Sequence, residues 1–196
     1  MNLMRMFSYT NYKGEKLYLK HQRNYEILRT CIYFFLSFSL LAGGYFATHT
    51  RANLLTIVAV LGCLPACKSL VSTIMFCRYT SLPVEVADQL AAESGELPQV
   101  FDMVFTSEKK TFQIDHLVVK GNLVCGYSRA KDFPEKDFEK HILGILRMDN
   151  IKDVTVKIFT DSAKYCRRLK ELASITGEGT GNQQNPILDT LKSVSL

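Results

Sequence analysis

Few residues in this chain combine a reactive type with a useful spacing. Asp115 and His116 adjoin in Gln113-Ile-Asp-His-Leu-Val-Val119, a segment that reads as a strand. A carboxylate beside an imidazole is a pair of ligand types, and its plainest structural role is a polar pair at a strand edge. Cys63 and Cys67 share a helix face at a spacing of four. A metal pair is one reading, but small apolar filling is the commoner fate of free cysteine. Lys68 is a lone base inside an apolar run, the position where a charge is costly and functional roles concentrate. His141, on a later predicted helix, reads as a boundary residue beside solvated Glu139 and Lys140. Arg167, Arg168 and Lys170 read as a solvated helix face that can meet phosphate. There is no G-x-S-x-G elbow, no H-E-x-x-H and no glycine-rich turn from strand to helix. Gly177-Glu-Gly-Thr-Gly181 follows a helix and reads as linker.

The elements that must position these residues fall into unequal parts. Residues 1–30 carry a net charge of +4, residues 31–80 a net of +3 with no acid, and residues 81–175 a net of −1. The basic excess therefore flanks an apolar segment, while the globular part is nearly neutral. That argues against nucleic acid as a partner.

Residues 31–48 hold no charge, and eighteen helical residues span roughly 27 Å, close to a bilayer's hydrocarbon thickness. A second apolar run extends from Leu54 to about Cys77, interrupted by Pro65 and Lys68. Proline inside a helix favours a kink. Lys68, near the far interface, can snorkel, so the second helix is expected to leave the bilayer there. Residues 31–79 thus read as a transmembrane hairpin, with Arg29, Lys68 and Arg78 at the interface. Positive charge places both termini in the cytosol. Ala42, Gly43, Gly44 and Ala47 supply small residues for close packing. Ahead of the hairpin, residues 1–30 form a basic amphipathic lead, helical from Glu15, with Leu17, His21, Tyr25 and Leu28 on one face. It suits an anionic leaflet or the cytosolic domain.

Residues 81–175 read as a small cytosolic α/β domain of order α-β-β-β-α-β-α. Ser81 caps the first helix, which ends at Gly95. Phe101, Met103 and Phe105 share one strand face; Phe112, Ile114, His116 and Val118 share another. Lys120-Gly121-Asn122 makes a hairpin turn. Phe138, Ile142, Ile145 and Leu146 mark the next buried helix face, and Asp161 caps the last helix of the domain. A meander followed by a helical crossover implies a mixed sheet, and the fold class is α+β. Residues 176–196 form a flexible tail whose terminal helix docks through Ile187, Leu188, Leu191 and Val194.

The element order and the Gln113–Val119 string resemble the restriction-endonuclease-like fold, and within it the nuclease-related domain. In that family the strand's Asp binds a metal and the next strand ends in Glu-x-Lys. By this resemblance Asp115 takes the Asp position, and Glu85, on the preceding helix, is the candidate for a helical Glu. Such chemistry needs carboxylates converging on Mg²⁺ and a Lys beside the attacking water. The third strand departs from the pattern, placing Tyr127, Ser128 and Arg129 where Glu-x-Lys should stand. Two functions are therefore expected from different classes. The first is a membrane-anchored, non-catalytic interaction module that needs no cofactor or metal and binds the bilayer plus a protein partner or another copy. The second is a tethered, divergent nuclease-like hydrolase using Asp115, Glu85 and His116.

Overall fold

The computed structural model describes residues 12–49, 54–108, 110–174 and 185–196, with the side chains of residues 47 and 48 left aside. The first eleven residues, the connector at 50–53 and the linker at 175–184 lie outside the described residues. The order is helix α1 (Tyr18–Thr48), α2 (Leu54–Cys77), α3 (Val84–Ser94), β1 (Gln99–Thr106), β2 (Thr111–Lys120), β3 (Leu123–Tyr127), α4 (Glu135–Met148), β4 (Thr155–Phe159), α5 (Ser162–Ser174) and α6 (Pro186–Val194). The α+β class and the α-β-β-β-α-β-α order are as expected. Two compact units result: one holds residues 19–80, the other residues 10–18 together with 81–196.

In the first unit, α1 and α2 are both long and apolar enough to cross a membrane. They pair antiparallel through polar contacts. Thr30 Oγ1 meets Ser69 Oγ at 2.8 Å and Thr73 Oγ1 at 2.9 Å. Further along, a Cβ added to Gly62 would lie 2.9 Å from Ser37 Oγ. A close approach is thus at Ser37 and Gly62; of the residues expected to pack, Gly44 is buried while Gly43 has open space around it. α2 remains helical through Pro65. α1 begins at Tyr18, not Glu15, because Leu17 is in the left-handed region (φ +59°). Its buried positions are Tyr18, Leu19, Gln22, Glu26, Thr30, Ser37 and Gly44, whereas His21 and Leu28 are exposed. The expected apolar lead face is replaced by a polar one, for which i, i+4 spacing supplies the periodicity.

In the second unit the sheet order is β1-β2-β3-β4, antiparallel until β3 and β4, which run parallel across the α4 crossover. Helices cover both faces. On one, Phe138, Ile142 and Leu146 of α4 and Ile187, Leu188 and Leu191 of α6 pack against Ile114, Leu117 and Val119. On the other, Leu90 of α3 and Tyr165, Leu169 and Leu172 of α5 pack against Phe101, Val118 and Tyr127. Val194, expected in the docking face of α6, is 42% exposed. Asp161 caps α5 as expected, accepting from Ala163 N at 2.9 Å. Ser81 does not cap α3; Pro83 stands at the cap with no side-chain bond. Gly121, in the β2–β3 turn, adopts φ +54°, which suits a residue without Cβ.

Strand alternation departs from expectation at one step. Phe101 lies on the α3/α5 side, while Val100, Met103 and Phe105 lie on the α4/α6 side. In β2, Phe112 and Ile114 join Leu117 and Val119 on the α4/α6 side, and Val118 faces the other way. Both strands therefore reverse alternation between the pairs Phe101↔His116 and Met103↔Ile114, and the register is kept.

Candidate functional site

Asp115 and His116 occupy this step. They are buried in β2, an inner strand, so they are not a strand-edge pair. Folding β2 onto β3 through the Gly121 turn brings Tyr127 opposite His116 and carries the chain on past Asp115. Arg129 then closes on it. Its backbone N–H donates to Asp115 Oδ2 at 2.8 Å, while Nε and Nη2 donate to Oδ1 at 3.1 and 2.9 Å. Gln113 Nε2 adds a donor to Oδ1 at 3.1 Å. The turn that presents Arg129 is fixed by Ser128, which donates from Oγ to Gln113 O and from N to Phe159 O. A carboxylate with both oxygens engaged by a guanidinium fork and an amide N–H is satisfied as an anion. Arg129 supplies the cation that a metal would otherwise provide.

His116 belongs to a different cluster. Nδ1 lies 2.8 Å from Tyr165 Oη and Nε2 lies 3.1 Å from Gln99 Oε1. Its ring rests on Phe101 with centroids 4.5 Å apart. Burial, reinforced by the charge of Lys16, lowers its pKa to about 3. The imidazole is therefore neutral, donating from Nε2 to Gln99 and accepting from the Tyr165 hydroxyl. Burial also raises Tyr165 well above the usual phenol range. Tyr127, standing where the resemblance asks for Glu, stacks on Tyr165 at 5.5 Å.

The carboxylate and the imidazole are adjacent in sequence but serve separate networks. Glu85 is exposed on the first turn of α3. Among the described residues, no group of three or more His, Cys, Asp or Glu side chains is placed to hold a metal ion. The six cysteines form no disulfide. Burial pushes the Cys125 thiol up, and burial with Glu93 beside it raises Cys166 to about 11, so neither is a ready thiolate. His141 lines a groove of about 540 Å³ between the β1–β2 turn and α4, with Phe112 and Ile145 beneath and Lys110 paired to Asp137 at its rim.

The hairpin carries the other polar cluster. Arg29 turns inward, donating to Glu26 and, from Nε, to Ser69 Oγ at 3.3 Å. Gln22 Nε2 donates to the other Glu26 oxygen at 3.2 Å. Lys68 and Arg78 are exposed on α2 and just beyond it. Sequence reasoning saw these bases but missed the seam, whose signal was the run Gln22, Glu26, Thr30 at spacings of four.

No family model matches the chain, and no curated protein or solved structure gives a significant match.

Proposed function

We propose that the chain is an integral membrane protein whose α1–α2 hairpin holds a non-catalytic α/β module at the cytosolic face of the bilayer, where the module binds a protein partner or another copy of the chain. One observation carries this reading: the hairpin exposes its large apolar side chains and turns small and polar ones, Ala59, Ala66, Ser69, Gln22, Glu26 and Thr30 among them, inward. Only 17% of each helix's most apolar window is buried, which a core helix of a soluble protein would not tolerate. Large exposed apolar side chains run from Ile27 to Phe46 on α1 and from Leu54 to Ile74 on α2. At 1.5 Å per residue each belt is about 30 Å long, the thickness of a hydrocarbon core. The belt on α2 thus continues past Lys68 to Ile74, further than the position of the charge alone implies.

The excess of bases before α1 favours cytosolic termini. Engagement of Asp115 by Arg129, and of His116 by Tyr165 and Gln99, supports a module without hydrolytic chemistry. The test is extraction and labelling in native membranes. The chain should stay in the pellet at alkaline pH, and a cysteine introduced at Thr50 should react with a membrane-impermeant reagent from outside only. Release by alkali, or labelling of that position from the cytosol, would overturn the reading. A pull-down with the hairpin intact then tests for the partner.

A further inference from the structure

The contacts Thr30–Ser69, Thr30–Thr73 and Ser37–Gly62 set the level of every residue on α1 against α2. On that register Arg23 and Arg78 lie at the same height. Ile27 and Ile74 are the last large exposed apolar side chains toward this end of the two helices. Arg23 and Arg78 each follow four residues further, about 6 Å beyond the belt, which is the depth of the phosphate layer outside a hydrocarbon core. Glu26 is the only acid in residues 19–80, and it is turned inward onto Arg29. Among the described residues no carboxylate pairs with Arg23, Lys68 or Arg78.

We infer that Arg23 and Arg78 form a clamp for the headgroup phosphates of anionic phospholipids in the cytosolic leaflet. At one height in the phosphate layer, each guanidinium can hold a lipid phosphate in a forked, charge-assisted geometry. The occupant is a lipid because the clamp adjoins the apolar belt that acyl chains cover in the membrane reading, at the depth of their headgroups. This inference rests on the membrane reading above and adds a lipid class to it.

The experiment uses the full-length chain reconstituted in phosphatidylcholine vesicles containing a minority of phosphatidylglycerol. The chain is extracted in mild detergent, and the retained headgroups are counted by native mass spectrometry. Phosphatidylglycerol should be enriched over its bulk share, by about fivefold per base engaged. Arg23→Gln/Arg78→Gln should abolish the enrichment. Lys164→Gln/Arg167→Gln, which removes the same charge from α5, should leave it intact. Equal enrichment in the wild type and the Arg23→Gln/Arg78→Gln variant, or none in the wild type, overturns the clamp. Alkaline extraction of the same vesicles separates the two readings. A chain that stays in the pellet without enrichment keeps its anchor and loses the clamp; a chain that is released loses both.

Discussion

Asp102 stands opposite Asp115 across β1 and β2, and at that pair both strands reverse their alternation together. Asp102 takes a left-handed backbone (φ +53°) and accepts the Leu82 N–H at 3.3 Å. Asp115 accepts Arg129 from the far side of the sheet's next strand. A single reversal in one strand would slip the register; matched reversals preserve it. The result sends His116 to the α5 side and leaves Asp115 tied to the β3 end.

The Asp115–Arg129 pair should therefore be structural. Asp115 is nearly fully buried while Arg129 is 37% exposed, so solvent already screens part of the pair. Arg129→Met should cost about 2 kcal/mol, less than a fully buried broken pair would. Adding Asp115→Asn should recover most of the loss, since the amide still accepts the residue-129 N–H. Thermal melts of the full chain in detergent measure both.

His116 makes stability depend on pH. Its folded pKa, about 3, lies below the unfolded value near 6.5. Between those values the unfolded chain binds a proton that the native state refuses, so stability falls as pH falls through that window, by roughly 1.4 kcal/mol per unit. Above about pH 7 the contribution is complete. His116→Gln should flatten this slope in melts taken from neutral to acidic pH, and an unchanged slope would show that another group titrates.

Gly126 is held free of a side chain by packing. A Cβ there would meet Ile158 Cδ1 at 2.7 Å and Ile114 Cγ2 at 3.3 Å. Gly126→Ala should destabilise by about 1–2 kcal/mol. Ile158→Val removes the Cδ1 methyl, and the double variant should be more stable than the sum of the two single losses predicts.

The hairpin register has a direct chemical test. The Cβ built on Gly62 lies 3.8 Å from Ser37 Cβ, the mean separation in disulfides. Ser37→Cys/Gly62→Cys should crosslink within one chain under mild oxidation, as read by peptide mapping. A control pair displaced by two residues on α2 should not.

Element order was legible because turn residues and periodicity mark it: Gly95, Gly121 and Asp161 all stand where they were expected. The step at Asp102 and Asp115 was not, since a matched reversal leaves each half-strand with perfect alternation. The polar seam was hidden for a different reason. Gln22, Glu26 and Thr30 on a helix look like a solvated stripe, and only an apolar exterior makes them the inside. Arg129 was visible as a departure from Glu-x-Lys. Its bond to Asp115 could have been found by folding the Gly121 hairpin and counting back from His116↔Tyr127. The neutrality of His116 could not, because it comes from burial beneath α5 and from the charge of Lys16, neither of which is near it in sequence.

The outer edge of β1 is closed by the two ends of the described chain. Phe101 N donates to Gly14 O, and Leu196 N donates to Val104 O beside the Phe105–Ser195 bridge. An edge strand left open invites pairing with other chains. During synthesis the hairpin is complete long before Leu196 is added, so β1 stays unsealed while every other strand is already made. The outer edge of the sheet is thus finished by residues that follow every strand in the chain.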